Sequence, residues 1–194
     1  GKKLKRKKTS NNCSVDFSHV SRLRDQRMKI DGHVHFAGDG SKGSGCWLRR
    51  NSLLDRIAEP MLKMQAGIFQ TSRILGLDLA YEQKLVELIE QSSLDSVLLL
   101  AMDHPYDALG NCLKKSAKFF VPNEHVLSLA EKYQQIIPAC SIHPARKNAI
   151  EELQRCAAKG AKVLKLLPNC HNLDCSDLRY RPFWEKLAQL GLPF

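Results

Sequence analysis

The chain has 194 residues and a formal net charge of +10, and 43% of its residues are hydrophobic. This length supports one globular domain with a real core, since chains of about 150 residues already bury roughly two-thirds of their unfolded surface. The longest apolar run, Val97–Met102, is far shorter than the roughly 20 residues that a membrane-spanning helix needs. The composition therefore predicts a soluble protein and excludes the collagen-like and coiled-coil classes.

The positive charge is concentrated at the amino terminus. Residues 1–29 contain ten Lys or Arg and two Asp, whereas residues 30–194 carry a net charge of +2. A run of like charges cannot bury apolar surface, so we expect residues 1–27 to form a basic, disordered tail and residues 28–194 to form the folded domain. A merely solvated tail is the simplest interpretation, but such a run can also serve nuclear import or bind nucleic acid or an anionic surface weakly.

The cysteines indicate a reducing compartment. There are seven, an odd number, and no C-x-x-C pair, which argues against a disulfide framework and favours a cytoplasmic location. No apolar segment follows the amino-terminal charges as a secretory signal would require. Cys170, His171 and Cys175 lie close together in the sequence, but a structural zinc site needs four ligands and no second pair is visible.

From Met28 onward, short apolar runs alternate with segments of helical period. The apolar runs predict strands at 28–36, 95–102, 136–142 and 161–167, with a fifth strand starting at 192. Helical periodicity predicts helices at 52–66, with Pro60 as a kink, at 81–91, from 123 with Asn123 as its N-cap, at 148–159 and at 183–190. Strands that are apolar on both faces are typical of an α/β fold with a parallel sheet, and either a doubly wound sheet or a (β/α)8 barrel fits this order.

The strongest chemical signal is the sequence IDGHVH at residues 30–35. Side chains alternate along a strand, so His33 and His35 are predicted to share a face and to reach one divalent metal ion at about 2.0 to 2.1 Å each. Asp31 is predicted to share that face one step deeper, where it can orient the ligands or help to bind the metal. The alternative is a His-x-His that is hydrogen-bonded for structural reasons alone. The Gly-rich segment 37–45 that follows is predicted to be a flexible loop over this site.

Further polar residues end the later strands, where ligands gather in parallel α/β folds. Asp103 and His104 follow the second strand, His143 the third, and Lys165 lies near the end of the fourth. Each is a candidate for contacting the substrate. For Lys165 the alternatives are an ion pair or an outward, exposed position, and for His143 the alternative is a histidine that stabilises the turn before Pro144.

Three stretches together resemble a known family. The sequence at 30–35 resembles the first-strand signature of the amidohydrolase superfamily. The stretch at 136–144, and that at 160–168 with the later 181–184 and 190–193, resemble the amidohydrolase-related branch that includes aminocarboxymuconate semialdehyde decarboxylase-like enzymes. The resemblance covers about residues 28–194, although residues 37–80 fit it poorly.

The resemblance implies a TIM-type (β/α)8 barrel of which this chain supplies the first four βα units. It implies that His33 and His35 bind the metal, usually zinc, and that the remaining ligands and the catalytic acid/base come from strands after residue 194. In binuclear members a lysine on the fourth strand bridges two metals, but the surroundings of Lys165 match the branch that does not use it so.

The expected activity of the complete barrel is hydrolysis of an amide, ester or lactone of a small molecule by a metal-activated water. Non-oxidative decarboxylation by the same branch is the alternative. Two further interpretations stay open: a non-catalytic fragment or binding protein that acts through its basic tail, and a half barrel that pairs with a second copy as a homo-oligomer.

Overall fold

A computed structural model of the chain describes residues 28–50 and 52–194, so the predicted tail at 1–27 lies outside the described residues. The strands are β1 (Ile30–His35), β2 (Trp47–Leu48), β3 (Ser96–Leu100), β4 (Phe119–Phe120), β5 (Ile136–Cys140) and β6 (Val163–Leu164). The helices are α1 (Leu53–Gln65), α2 (Phe69–Leu75), α3 (Leu77–Gln91), α4 (Asn123–Lys132), α5 (Ala149–Ala158), α6 (Pro168–His171) and α7 (Arg181–Gln189). Single 3-10 turns lie at Lys114–Ser116 and Leu178–Tyr180.

The main sheet confirms the predicted α/β class. Its four strands run parallel in the order β1-β3-β5-β6, which follows the chain without reversal. Parallel neighbours need crossover connections, and helices α3, α4 and α5 lie between the successive strands. A second, antiparallel pair joins β2 to β4.

The helices pack on one face of this sheet. Residues of β3 and β5 that are paired in register, such as Val97 with Ile136, belong to a core shared with Leu85 and Ile89 of α3. A second core surrounds Leu164 of β6 and includes residues of α5 and α7. Leu98 and Leu100, which alternate with Val97 along β3, line the opposite face. We call this opposite face the inner face.

Two predicted details differ from the structure. Asn123 is the first residue of α4 rather than its N-cap, which is the extended Pro122. Its side chain instead joins three elements: it accepts a hydrogen bond from the Ser141 amide (2.8 Å) and donates one to Glu152 of α5 (2.9 Å). A short amide side chain satisfies these buried groups because it carries both a donor and an acceptor.

The predicted fifth strand is not formed as a strand in the described residues. Gly191, with φ at +65°, ends the segment after α7, and the next residues run beside β6. The backbone amide of Leu164 donates to the carbonyl of Pro193 (2.9 Å). Residues 192–194 therefore lie beside β6, where a neighbouring strand would be, and one backbone hydrogen bond joins them to it.

Helix α1 is amphipathic, but its polar side faces the domain and its apolar side faces solvent. Ser52 and Asp55 form a capping box at its start. Its polar side faces the domain, where Glu59 pairs with Arg50 (2.8 Å) and Lys63 (2.6 Å). The side chains that point into solvent are large and apolar: Leu53, Leu54, Ile57, Met61, Leu62 and Met64. Within residues 28–50 and 52–194, no helix combines the length and apolar character that crossing a bilayer would take.

Candidate functional site

The candidate site is built on an irregularity in β1. In the pairing of β1 with β3, Asp31 lies opposite Val97 and Val34 opposite Leu99, so three steps along β1 match two along β3. Such a bulge re-aims the side chains of the strand that contains it. Asp31 holds the bulge, because its carboxylate accepts a hydrogen bond from the backbone amide of His33 at 2.9 Å.

The bulge brings the two imidazoles of β1 together. The Nε2 atoms of His33 and His35 lie 3.0 Å apart, and their rings meet edge to face. Two nitrogens bound to one metal ion at about 2.0 to 2.1 Å would lie about 2.9 Å apart at a right angle and about 3.4 Å apart at a tetrahedral angle. The observed separation falls within this interval, and it also suits a direct N–H···N hydrogen bond.

The surroundings favour a neutral imidazole at His35. Burial, then the positive charge of Lys165, then the neighbouring His33 lower the pKa of His35. Its Nδ1 is buried and has no hydrogen-bond partner among the described residues. The hydroxyl of Tyr81 on α3 donates to the backbone carbonyl of His35 (3.0 Å) and fixes the end of the strand. A neutral ring with a free Nε2 lone pair is the form that binds metals.

Lys165 follows β6 and lies on the inner face with the histidines. It is only 8% exposed, and its Nζ donates to the Sδ atom of Met102 at 3.2 Å. Burial lowers the pKa of this lysine to about 8. Lys165 and His33 line a common cavity of about 260 Å³, which we call the inner-face cavity.

The other predicted residues form a separate cluster. The buried carboxylate of Asp103 accepts hydrogen bonds from the amide of His143 (2.9 Å) and from Arg146 (3.2 Å). His143 is fully buried, with Nδ1 accepting from the Ala145 amide (3.0 Å) and Nε2 facing the carbonyl of His171 (3.0 Å). These contacts stabilise the turn after β5. The structure does not bring Asp103 or His143 into contact with the two histidines of β1.

His104 is enclosed by aromatic rings. It stacks on Phe120 with ring centroids 4.1 Å apart and on Trp47 at 5.6 Å. Burial is the largest influence on its pKa, which is lowered. The antiparallel pair β2–β4 thus supplies both rings that stack on His104.

The segment Cys170–Cys175 does not converge on one point. Cys170 and Cys175 are exposed free thiols, whereas His171 is fully buried. The Nδ1 of His171 accepts a hydrogen bond from the amide of Leu167 at 3.2 Å. The ring therefore closes a turn of its own backbone.

Asp78 is a residue of this region that the sequence did not single out. Its buried carboxylate accepts hydrogen bonds from the amides of Asp39 (2.8 Å), Gly40 (3.1 Å) and Lys42 (3.1 Å), and from the Ser44 hydroxyl (2.7 Å). The loop predicted to be flexible is thus fastened to the start of α3. Only the glycines of the loop hinted at this, because amides that turn toward one point need backbone freedom.

The histidine pair fits two ligand positions of a divalent metal. Over residues 28–50 and 52–194, no group of three or more His, Cys, Asp or Glu side chains is arranged to hold an ion. A catalytic zinc generally has three protein ligands, so His33 and His35 would form part of such a site. Comparisons with protein-family models, with curated proteins and with solved structures found no match to this chain.

Proposed function

We propose that His33 and His35 are two ligands of a divalent metal, most simply zinc, in a metal-dependent hydrolase of the amidohydrolase superfamily. The observation that carries this proposal is the approach of their Nε2 atoms to 3.0 Å at the carboxyl end of a parallel strand. That end of the strands is where active sites form in parallel α/β folds. The substrate class is an amide, ester or lactone.

We propose a (β/α)8 barrel as the architecture, with β1, β3, β5 and β6 as its first four strands. Three observations support it: the strands follow chain order, the helices pack on one face, and the histidines and Lys165 lie on the other. A doubly wound sheet would reverse its strand order and carry helices on both faces. The remaining metal ligands and the general base belong to later strands of the barrel.

Each residue of the site has a stated part in this function. His33 and His35 would hold the metal through neutral Nε2 atoms, and Asp31 stabilises the bulge by accepting a hydrogen bond from the His33 amide. Tyr81 fixes the backbone of His35, and Asp78 fastens the loop that follows β1. When bound, zinc supplies the Lewis acidity that activates water and a carbonyl group.

Zinc titration followed by calorimetry tests the metal site in the 194-residue chain. We expect one zinc-binding event, weakened at least tenfold in His33→Ala and in His35→Ala because each loses one of two ligands. The control is His125→Gln, since His125 lies on α4 with its ring against Phe36. Folded protein that binds zinc equally well in all three variants would refute the site.

Activity is tested in the complete barrel. We expect turnover in a panel of lactones, esters and amides that is lost on chelation and restored by zinc. A full-length enzyme that retains its activity after complete removal of the metal would contradict the proposed function. Release of carbon dioxide from an unsaturated carboxylate without lactone hydrolysis would favour the decarboxylase alternative.

A further inference from the structure

Lys165 is a buried cation that forms no salt bridge with a carboxylate of residues 28–50 or 52–194. The residue is 8% exposed, and the contact of its ammonium in the described part of the chain is with the thioether of Met102. A thioether sulfur is a weak acceptor. The other titratable groups that act on it electrostatically are His35, His171 and Cys170, and none is a carboxylate.

Such an arrangement is costly unless a ligand completes it. A buried charge normally has a charged partner, because desolvation of an ion without compensation is unfavourable. Some exposed lysines have such partners, for example Lys132 with Glu82 at 2.6 Å and Lys159 with Glu124 at 2.6 Å. Lys165 differs from these two lysines in being buried with a thioether, and no carboxylate, as the contact of its ammonium in the described part of the chain.

Lys165 and the residue it contacts, Met102, each line a cavity. Lys165 lines the inner-face cavity with His33, Leu98 and Leu100. Its partner Met102 lines a second cavity of about 500 Å³, together with Phe119 and Cys170. The contact between Lys165 and Met102 therefore joins a residue of one cavity to a residue of the other.

The residues that line the two cavities indicate the chemical class of the ligand. One ammonium balances one negative charge, which suits a carboxylate better than a doubly charged phosphate. Leu98, Leu100, Met102 and Phe119 offer apolar surface to the rest of the molecule. His33, across the inner-face cavity, would place the metal beside the same ligand.

We infer that Lys165 binds a carboxylate group of the substrate and thereby restricts the proposed enzyme to small, mainly apolar carboxylic acids. The identification of this ligand as the substrate rests on the proposed function. Carboxylate binding itself needs Lys165 and its cavities, and it does not need the metal.

The experiment compares acids with their neutral amides on metal-free 194-residue chain at pH 7. The probes are formate, acetate, sorbate and benzoate, each paired with its primary amide, and binding is followed by NMR shifts of the Lys165 side chain and of neighbouring methyl groups. We expect at least one acid to bind about 10- to 100-fold more tightly than its amide, as a charge-assisted hydrogen bond predicts. Lys165→Met should remove this preference and Lys165→Arg should retain part of it.

A matched control is Lys162→Met, because Lys162 is an exposed lysine three residues earlier on the same segment. It should bind the acids as the unaltered chain does. The inference is overturned if no acid binds, if acids and amides bind equally, or if Lys165→Met keeps the preference. The comparison within the unaltered chain holds even if Lys165→Met fails to fold.

The two proposals fail in different ways. Acid binding that depends on Lys165 without zinc binding at His33 and His35 would leave the carboxylate site intact and remove the proposed function. Zinc binding at His33 and His35 without any preference for acids would leave the proposed function intact and remove the carboxylate site.

Discussion

Acidification should destabilise this protein through His171, a residue remote from the proposed metal ligands in sequence. The ring is fully buried, and its Nδ1 accepts a hydrogen bond from the Leu167 amide. The ring proton therefore lies on Nε2, which is buried and faces the backbone of Asp103. Adding a second proton at Nδ1 would break the bond to Leu167 and bury a charge.

The size of the effect follows from the pKa. Burial lowers the pKa of His171 to about 4, against about 6.5 in an unfolded chain. Between about pH 6.5 and pH 4, His171 is therefore protonated in the unfolded state but neutral in the folded state. The stability contributed by the neutral ring is lost as the pH falls through this window. At about 1.36 kcal/mol for each pKa unit, the loss at pH 4 is about 3 kcal/mol.

Urea denaturation at pH 7 and pH 4 measures this loss. His171→Asn is the informative variant, because an asparagine oxygen can replace Nδ1 as acceptor for the Leu167 amide and does not titrate. Other buried histidines, such as His143, whose pKa burial also lowers, contribute to the acid loss in both proteins. Between pH 7 and pH 4, we expect the free energy of unfolding to fall by about 3 kcal/mol more in the unaltered chain than in His171→Asn. Equal losses in the two proteins would refute the reasoning.

Three further predictions concern stability. Leu153→Ala should lower the free energy of unfolding by about 2 to 5 kcal/mol because Leu153 is fully buried, whereas Leu62→Ala on the exposed side of α1 should change it by less than about 0.5 kcal/mol; urea denaturation checks both. Asp78→Asn should cost about 3 kcal/mol and raise hydrogen exchange in the loop at 39–44, since its amide nitrogen would face donors that now bind a carboxylate oxygen. Gly160→Ala should cost about 1 to 2 kcal/mol in thermal unfolding, because φ there is +94° while no atom lies within 4 Å of the added Cβ.

Each of these has a contrary outcome. A large loss in Leu62→Ala would show that the apolar side of α1 is covered in solution. Unchanged hydrogen exchange in Asp78→Asn would show that the loop holds its shape without the carboxylate. No loss in Gly160→Ala would mean that the backbone after α5 relaxes out of the left-handed region at little cost.

The local pattern of the sequence determined most of the secondary structure. Apolar runs marked β1, β3 and β5 because a parallel strand covered by helices must be apolar. Helices α5 and α7 followed from their apolar period together with the glycines after them, Gly160 and Gly191, which both have positive φ. The α/β class followed from the alternation of these elements.

Other features depended on contacts between distant parts of the chain. Simple alternation put His33, His35 and Asp31 on one face, but only the register against β3 introduced the bulge that set the 3.0 Å approach of the rings and turned Asp31 toward the backbone of His33. The attachment of the loop to Asp78 joins residues more than 30 positions apart. No local propensity encodes such a contact.

The residues at the strand ends also depend partly on the sequence and partly on tertiary contacts. Sequence order placed Asp103, His143 and Lys165 at one end of the sheet, since parallel strands present their carboxyl ends together. Tertiary packing then decided their surroundings: Arg146 pairs with Asp103, the turn after β5 uses both nitrogens of His143, and the ammonium of Lys165 contacts the Met102 thioether. The sequence by itself determined which chemical groups meet at this edge, and only the three-dimensional contacts decided which of them have partners, because hydrogen bonds and ion pairs depend on distances that the sequence does not specify.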